Sequence, residues 1–102
     1  MNYESARQQM LSQQIRTWDV LDERVLDTLR EIRREAFVPE AERDLAFADT
    51  EIPLAHGQCM MQPKVEARLL QELAIEPTDA ALEIGTGSGY LTACLARLAE
   101  SV

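Results

Sequence analysis

Three glycines alternate with hydroxyl-bearing residues in Gly85-Thr86-Gly87-Ser88-Gly89, and a carboxylate, Glu83, stands two residues before the first of them. The run Ala80-Ala81-Leu82-Glu83-Ile84 is short and apolar, as buried parallel strands are, and Tyr90 to about Leu98 reads as an apolar helix. Glycines at a strand-to-helix turn permit positive φ and let a ligand approach the backbone closely. The start of the following helix offers free N–H groups and positive dipole. Such a loop can cradle the polar end of a cofactor. The bland alternative is a tight turn with no ligand; an acid at this offset, with apolar elements on both sides, weighs against it.

The spacing and the acid narrow the cofactor. Dinucleotide sites use G-x-G-x-x-G, and a pyrophosphate sits against the helix N-terminus. Here the spacing is G-x-G-x-G, and Glu83 would repel a pyrophosphate while suiting an ammonium group. S-adenosyl-L-methionine carries an ammonium, a carboxylate and a sulfonium, and fits better than NAD or a flavin.

Other residues carry weaker signals. His56 lies just before the glycine of the 57–63 segment, but a lone loop histidine is more often a surface or hydrogen-bonding residue. Cys59 lacks a histidine to activate it unless His56 folds back, and reads as a small, semi-buried side chain. Met60 and Met61 either line a hydrophobic pocket or fill gaps. Asp49 could meet a substrate amide or serve a turn. With one histidine and with Cys59 and Cys94 far apart, a metal site built from this chain is not expected.

These residues need elements to hold them. Met10, Leu11, Ile15 and Trp18 have helical spacing, with Trp18 expected to pack a helix face. Val25, Leu26, Leu29 and Ile32 mark a stronger helix over residues 22–32, with Asp22 as N-cap and Glu23 in the first turn. Phe37-Val38-Pro39 interrupts the pattern, residues 40–45 suggest a helical turn, and an extended linker is expected from Ala48 to Gln58. Pro63 suits the first residue of a helix. Val65, Leu69, Leu70 and Leu73 are expected on its buried face, with Lys64, Glu66, Arg68, Gln71 and Glu72 in solvent. Residues 75–79 are turn material. One strand, Ala81 to Ile84, would leave both its edges open, so more chain or self-association is expected to complete the sheet.

Composition bounds the reading. The 102 residues are 46% hydrophobic and 27% charged, the balance of an ordinary globular domain. The net charge of −8 disfavours nucleic acid, because like charges repel. No apolar run approaches a membrane span, and the N-terminus has no signal-peptide pattern, so a cytoplasmic protein with reduced thiols is expected.

Leu82 to Tyr90 resembles motif I of Rossmann-type methyltransferases, which alone indicates the superfamily. Asp22-Glu23-Arg24-Val25-Leu26, Arg34-Glu35-Ala36-Phe37-Val38-Pro39, Ala46-Phe47-Ala48-Asp49, Pro53-Leu54, Gly57-Gln58 and Gln62-Pro63 follow in register. Together they resemble the N-terminal region of the protein-L-isoaspartate O-methyltransferase family over nearly the whole chain. The resemblance implies an α/β, Rossmann-like methyltransferase fold with N-terminal helices, of which this chain holds only the first strand of the sheet and the helix after it. It implies one domain: residues 1–62 as a helical and active-site segment, and residues 63–102 as the start of the cofactor-binding core. It further implies S-adenosyl-L-methionine held at Glu83, Gly85, Thr86, Gly87, Ser88 and Gly89, and enclosed by Cys59, Met60 and Met61. The reaction implied is O-methylation of a protein or peptide carboxylate, as in protein repair.

One departure stands out. The family segment Gly-Gln-Thr-Ile-Ser-Gln-Pro is here Gly57-Gln58-Cys59-Met60-Met61-Gln62-Pro63, so Met61 occupies the position of the family's marked active-site serine. A thioether accepts only weakly and adds bulk, which leaves the catalytic residue unassigned. A non-catalytic cofactor- or partner-binding protein, or a methyltransferase with a different acceptor, is the alternative that Met61 favours. The 102 residues by themselves are expected to be inactive.

Overall fold

A computed structural model describes residues 2–102. The chain begins with α1 (Tyr3–Met10), capped by Asn2, and continues through a π-helical turn (Leu11–Ile15) and a 3-10 turn (Arg16–Trp18). Asp19 ends it in the left-handed region, φ 60°. Met10, Leu11 and Ile15 are buried as their spacing requires. Trp18 is the correction: it is 43% exposed, and its ring faces the Lys64 ammonium at 4.8 Å. The change to a 3-10 turn carries the indole off the buried stripe.

Helix α2 (Glu23–Glu31) follows its sequence signals closely. The Asp22 carboxylate accepts from the N–H groups of Arg24 (2.9 Å) and Val25 (3.2 Å), and Val25, Leu26 and Leu29 are buried. Arg24 then donates to the carbonyls of Ile75 (2.6 Å) and Leu98 (2.8 Å). Leu98 ends a helix, so one arginine both docks α2 and satisfies a terminal carbonyl. Two 3-10 turns follow, Arg34–Phe37 and Glu40–Leu45, the second where a helical turn was expected.

The stretch 48–58 is more than a linker. It contains β1 (Ile52–Pro53), which pairs antiparallel with β2 (Cys59–Met60), and a 3-10 turn at Ala55–Gly57 joins them. The turn closes because His56 (φ 62°) and Gly57 (φ 71°) both take left-handed backbone, and Gln58 O accepts from Leu54 N at 2.8 Å. A histidine with positive φ has no reliable sequence signal, which is why this hairpin was not anticipated.

Helix α3 (Pro63–Glu72) starts on Pro63 and α4 (Tyr90–Leu98) ends where expected. The buried face of α3 differs from expectation. Pro63, Glu66, Ala67 and Leu70 are inside, while Leu69 and Leu73 are 37% and 55% exposed. The expectation sorted residues by polarity; burial instead follows the i, i+3, i+4, i+7 stripe that runs through Glu66.

The expected strand Ala81 to Ile84 does not form as a ladder. Ala80 makes a parallel bridge to Ser101, with Ala81 N donating to Ser101 O at 2.8 Å, and beyond it Leu82 and Ile84 are 86% and 90% exposed. A strand exists only through its neighbours, and Ser101 meets this one at its first residues only. The parallel sense is nevertheless that of a strand–helix–strand crossover. The apolar core, among α1, α2, α3, α4 and the hairpin, centres on Ile15, Val20, Leu26, Leu29, Ile52, Leu70 and Cys94.

Candidate active site

Two segments far apart in sequence face one another across a cleft. Leu54, Cys59, Met60 and Met61 form one side, and Glu83, Gly85, Thr86, Gly87 and Ser88 the other, with Glu66 and Leu91 completing it. Eight of the nine residues expected to hold the cofactor therefore meet: Cys59, Met60, Met61, Glu83, Gly85, Thr86, Gly87 and Ser88. Gly89 does not line the cleft. It caps α4 with φ 86°, and a Cβ there would stand 3.8 Å from Phe37 Cδ1.

The hairpin positions the first side. Its register, Ile52 opposite Met60 and Pro53 opposite Cys59, buries Ile52 and Met60. Alternation turns Cys59 outward, so it is exposed rather than semi-buried, and its thiol contacts Glu51 Oε2 at 3.4 Å. The Glu51 carboxylate raises the Cys59 thiol further above its ordinary range, the opposite of what a nucleophile needs. His56 is exposed on the turn, and Asp49 pairs with Lys64 at 3.1 Å.

Met61 is fixed from behind. Arg34, fully buried, donates from Nε to Ala46 O (2.7 Å), from Nη1 to Glu66 Oε1 (2.7 Å) and from Nη2 to Met61 O (2.9 Å). Its guanidinium also lies over the Tyr90 ring at 4.6 Å. One side chain thus ties the 46–47 loop, the Met61 carbonyl, α3 and the first residue of α4. Burial raises the Glu66 carboxyl above its ordinary value, and the Arg34 charge and hydrogen bond act against that rise. Burial also pushes the Cys94 thiol up to about 12, which makes it an inert core residue. A second buried pair, Arg7 with Glu35 (Nη2 to Oε2, 2.6 Å), lies further from the cleft. Burial acts to raise Glu35, but the Arg7 hydrogen bonds and charge prevail and hold it below its ordinary range.

The glycine loop has the form a ligand cradle needs. Gly85 (φ 78°) and Gly87 (φ 53°) take left-handed backbone, and none of the described residues comes within 4 Å of where a Gly85 Cβ would sit. That backbone is open to a ligand. Gly89, which has no side chain to cap with, leaves the α4 N-terminus to Ser88 Oγ, 3.3 Å from Tyr90 N. Glu83 is half-buried and accepts from the Thr92 hydroxyl, one turn into α4. An oriented carboxylate beside bare glycine backbone and a helix N-terminus suits a ligand with both a cationic and an anionic group.

Arg34, Glu66, Leu54 and Leu91 were not foreseen. Glu66 had a usable signal, since it falls on the stripe Pro63–Ala67–Leu70; Arg34 had none beyond its place before Phe37-Val38.

A solved structure shares the fold. A Plasmodium falciparum protein described as a protein-L-isoaspartate O-methyltransferase, in complex with S-adenosyl-L-homocysteine, superposes with a TM-score of 0.74. The likeness covers 96% of this chain and 43% of that one, at 25% identity. The fold is therefore that of the Rossmann-like methyltransferase class, present here in part. Over residues 5–102 the chain matches the model of the protein-L-isoaspartate(D-aspartate) O-methyltransferase family, and it belongs to that family. It is 42% identical over 101 residues to protein-L-isoaspartate O-methyltransferase 1 of Rhodopseudomonas palustris, and 46% identical over 96 residues to the Yersinia enterocolitica enzyme of that name. These alignments cover 99% and 94% of this chain, and 41% and 46% of the relatives. The chain thus spans somewhat less than half the length of those proteins.

Proposed function

We propose that the cleft binds S-adenosyl-L-methionine and that the protein transfers a methyl group to a carboxylate on a protein or peptide. The observation that carries this is the meeting of the glycine loop with residues 59–61 in one cleft, within a chain of this family. Glu83 suits the ammonium of the cofactor, and the bare backbone of Gly85 and Gly87 its close approach. Cys59, Met60 and Met61 close the far side. The proposal treats residues 1–62 as the active-site segment and residues 63–102 as the beginning of the cofactor core.

When bound, the sulfonium supplies an activated methyl group, and a carboxylate oxygen is already nucleophilic. The chain's task is then to place the acceptor in line and keep water away, with no proton to move. Apolar Met60 and Met61 exclude water. Arg34, by holding the Met61 carbonyl, fixes the wall against which the acceptor lies.

Met61 supports a second reading, in which the acceptor is not an isoaspartyl carboxylate or the protein binds without transferring. The side of the cleft where an acceptor would rest carries two thioethers and an outward-turned thiol, and no hydroxyl. A methyl-transfer assay of the full-length protein with an isoaspartyl peptide separates the readings. Weak but measurable transfer supports the first. Cofactor binding without transfer supports the second, and no binding contradicts both.

A further inference from the structure

A buried cation stands directly behind the wall of this cleft, and one carboxylate neutralises it. Arg34 Nη2 is 2.9 Å from the carbonyl of Met61, which lines the cleft, and Nη1 is 2.7 Å from Glu66, which also lines it. Both side chains are almost wholly shielded from water, at 1% and 4% exposure, so solvent screens neither charge effectively. The remaining Arg34 nitrogen, Nε, donates to a neutral carbonyl, Ala46 O. Glu66 is therefore the carboxylate that pairs with this guanidinium, and with the pair neutral Glu83 sets the sign of the cleft.

Resting on the cofactor reading above, we propose that Glu66 is a specificity-determining residue: by cancelling the Arg34 charge, it raises the cleft's affinity for the methyl-bearing sulfonium relative to the neutral thioether left after transfer. The two forms share the ammonium, carboxylate and adenosine, and they differ at the sulfur by one positive charge. The methyl must point towards its acceptor. In the cofactor reading above, the acceptor rests on the side away from the glycine loop, against Met61, the wall whose carbonyl Arg34 holds. A bare guanidinium there would repel the sulfonium and leave the thioether nearly unaffected. The pair thus favours loading of fresh cofactor over retention of the spent one. Glu66 acts through Arg34 and does no chemistry itself.

The test is calorimetric titration of the purified protein with S-adenosylmethionine and, separately, with S-adenosylhomocysteine, comparing the ratio of the two Kd values among variants. Glu66→Gln keeps the shape and can still accept from Arg34, but removes the compensating charge. The expected result is a ratio shifted on the order of tenfold against S-adenosylmethionine, as one unit of charge in a poorly screened site would produce. The double variant Arg34→Met/Glu66→Met removes both charges with apolar groups, an exchange that buried pairs often tolerate. It should bind both ligands less tightly, because Met61 loses its support, yet at the parental ratio. If Glu66→Gln does not fold, the double variant is read alone, and a ratio moved tenfold in it overturns the inference. An unchanged ratio in folded Glu66→Gln overturns the inference while leaving the cofactor reading intact. Failure of the parent protein to bind either ligand removes that reading and this inference with it.

Discussion

The two sides of the cleft are built in opposite ways. The side that carries Met60 and Met61 rests on buried polar chemistry: Arg34 meets Glu66 and holds the Met61 carbonyl, and Glu35, next to Arg34 in the chain, meets Arg7. The side that carries Glu83 and the glycines is nearly bare, with Leu82 and Ile84 in solvent and a single bridge at Ala80. Polarity and burial are thus inverted, charges inside on one side and aliphatic side chains outside on the other. Removing one member of a buried pair strands the other charge in the interior, so the first side depends on both partners. An unpaired apolar segment is a template for further strands, so the second side is open to strand pairing.

The contrast can be broken most sharply at Arg34. Arg34→Ala leaves Glu66 buried without its cation, and the expected loss is about 3 kcal/mol, or a fall in Tm on the order of 15 °C for a domain of this size. Thermal melting monitored by circular dichroism checks this, and a shift of only a degree or two would mean the pair is ornamental. On the cleft-facing surface of the same side, Met61→Ser should raise methyl transfer to an isoaspartyl peptide about tenfold, the worth of one ordinary hydrogen bond. A parent protein already as fast as its relatives would show that Met61 does not limit the reaction. The Arg7–Glu35 pair predicts a pH signature. Glu35 is lowered from 4.5, so its contribution is complete above that value and is lost as pH falls through the lowered folded value. The Tm of the parent should therefore decline below about pH 4.5 more steeply than that of Glu35→Gln. The smallest effect belongs to the other side: Leu82→Ser should change stability by no more than about 0.5 kcal/mol, or about 3 °C in Tm. A large loss there would show that Leu82 is covered in solution.

How much of this was legible in the sequence follows the same division. Helix α2, with Asp22 before a regular apolar stripe, was readable to within a residue, as were the start of α3 at Pro63 and the extent of α4. These are signals of local backbone chemistry. The glycine loop and residues 59–61 were also readable, and their meeting in one cleft needed only the fold the resemblance implied. Glu66 was misplaced because a carboxylate on a helix is ordinarily solvated, and nothing local announces that Arg34, 32 positions away, will receive it. The hairpin escaped because its turn depends on positive φ at His56. Ala81–Ile84 has the composition of a strand, but a ladder depends on neighbours that composition does not record.

The central claim is that the bare glycine loop and the braced Met60–Met61 wall form one cofactor site. Gly87 tests it best, because it sits at φ 53° with Leu54 Cδ1 3.8 Å from where its Cβ would be, where loop and hairpin meet. A valine there resists positive φ and fills the space between the two sides. Titration calorimetry with S-adenosylmethionine should give saturable one-to-one binding to the parent protein, and a loss of at least about a hundredfold in Gly87→Val, some ~2.7 kcal/mol. Unchanged affinity in a Gly87→Val protein that melts like the parent would contradict the account.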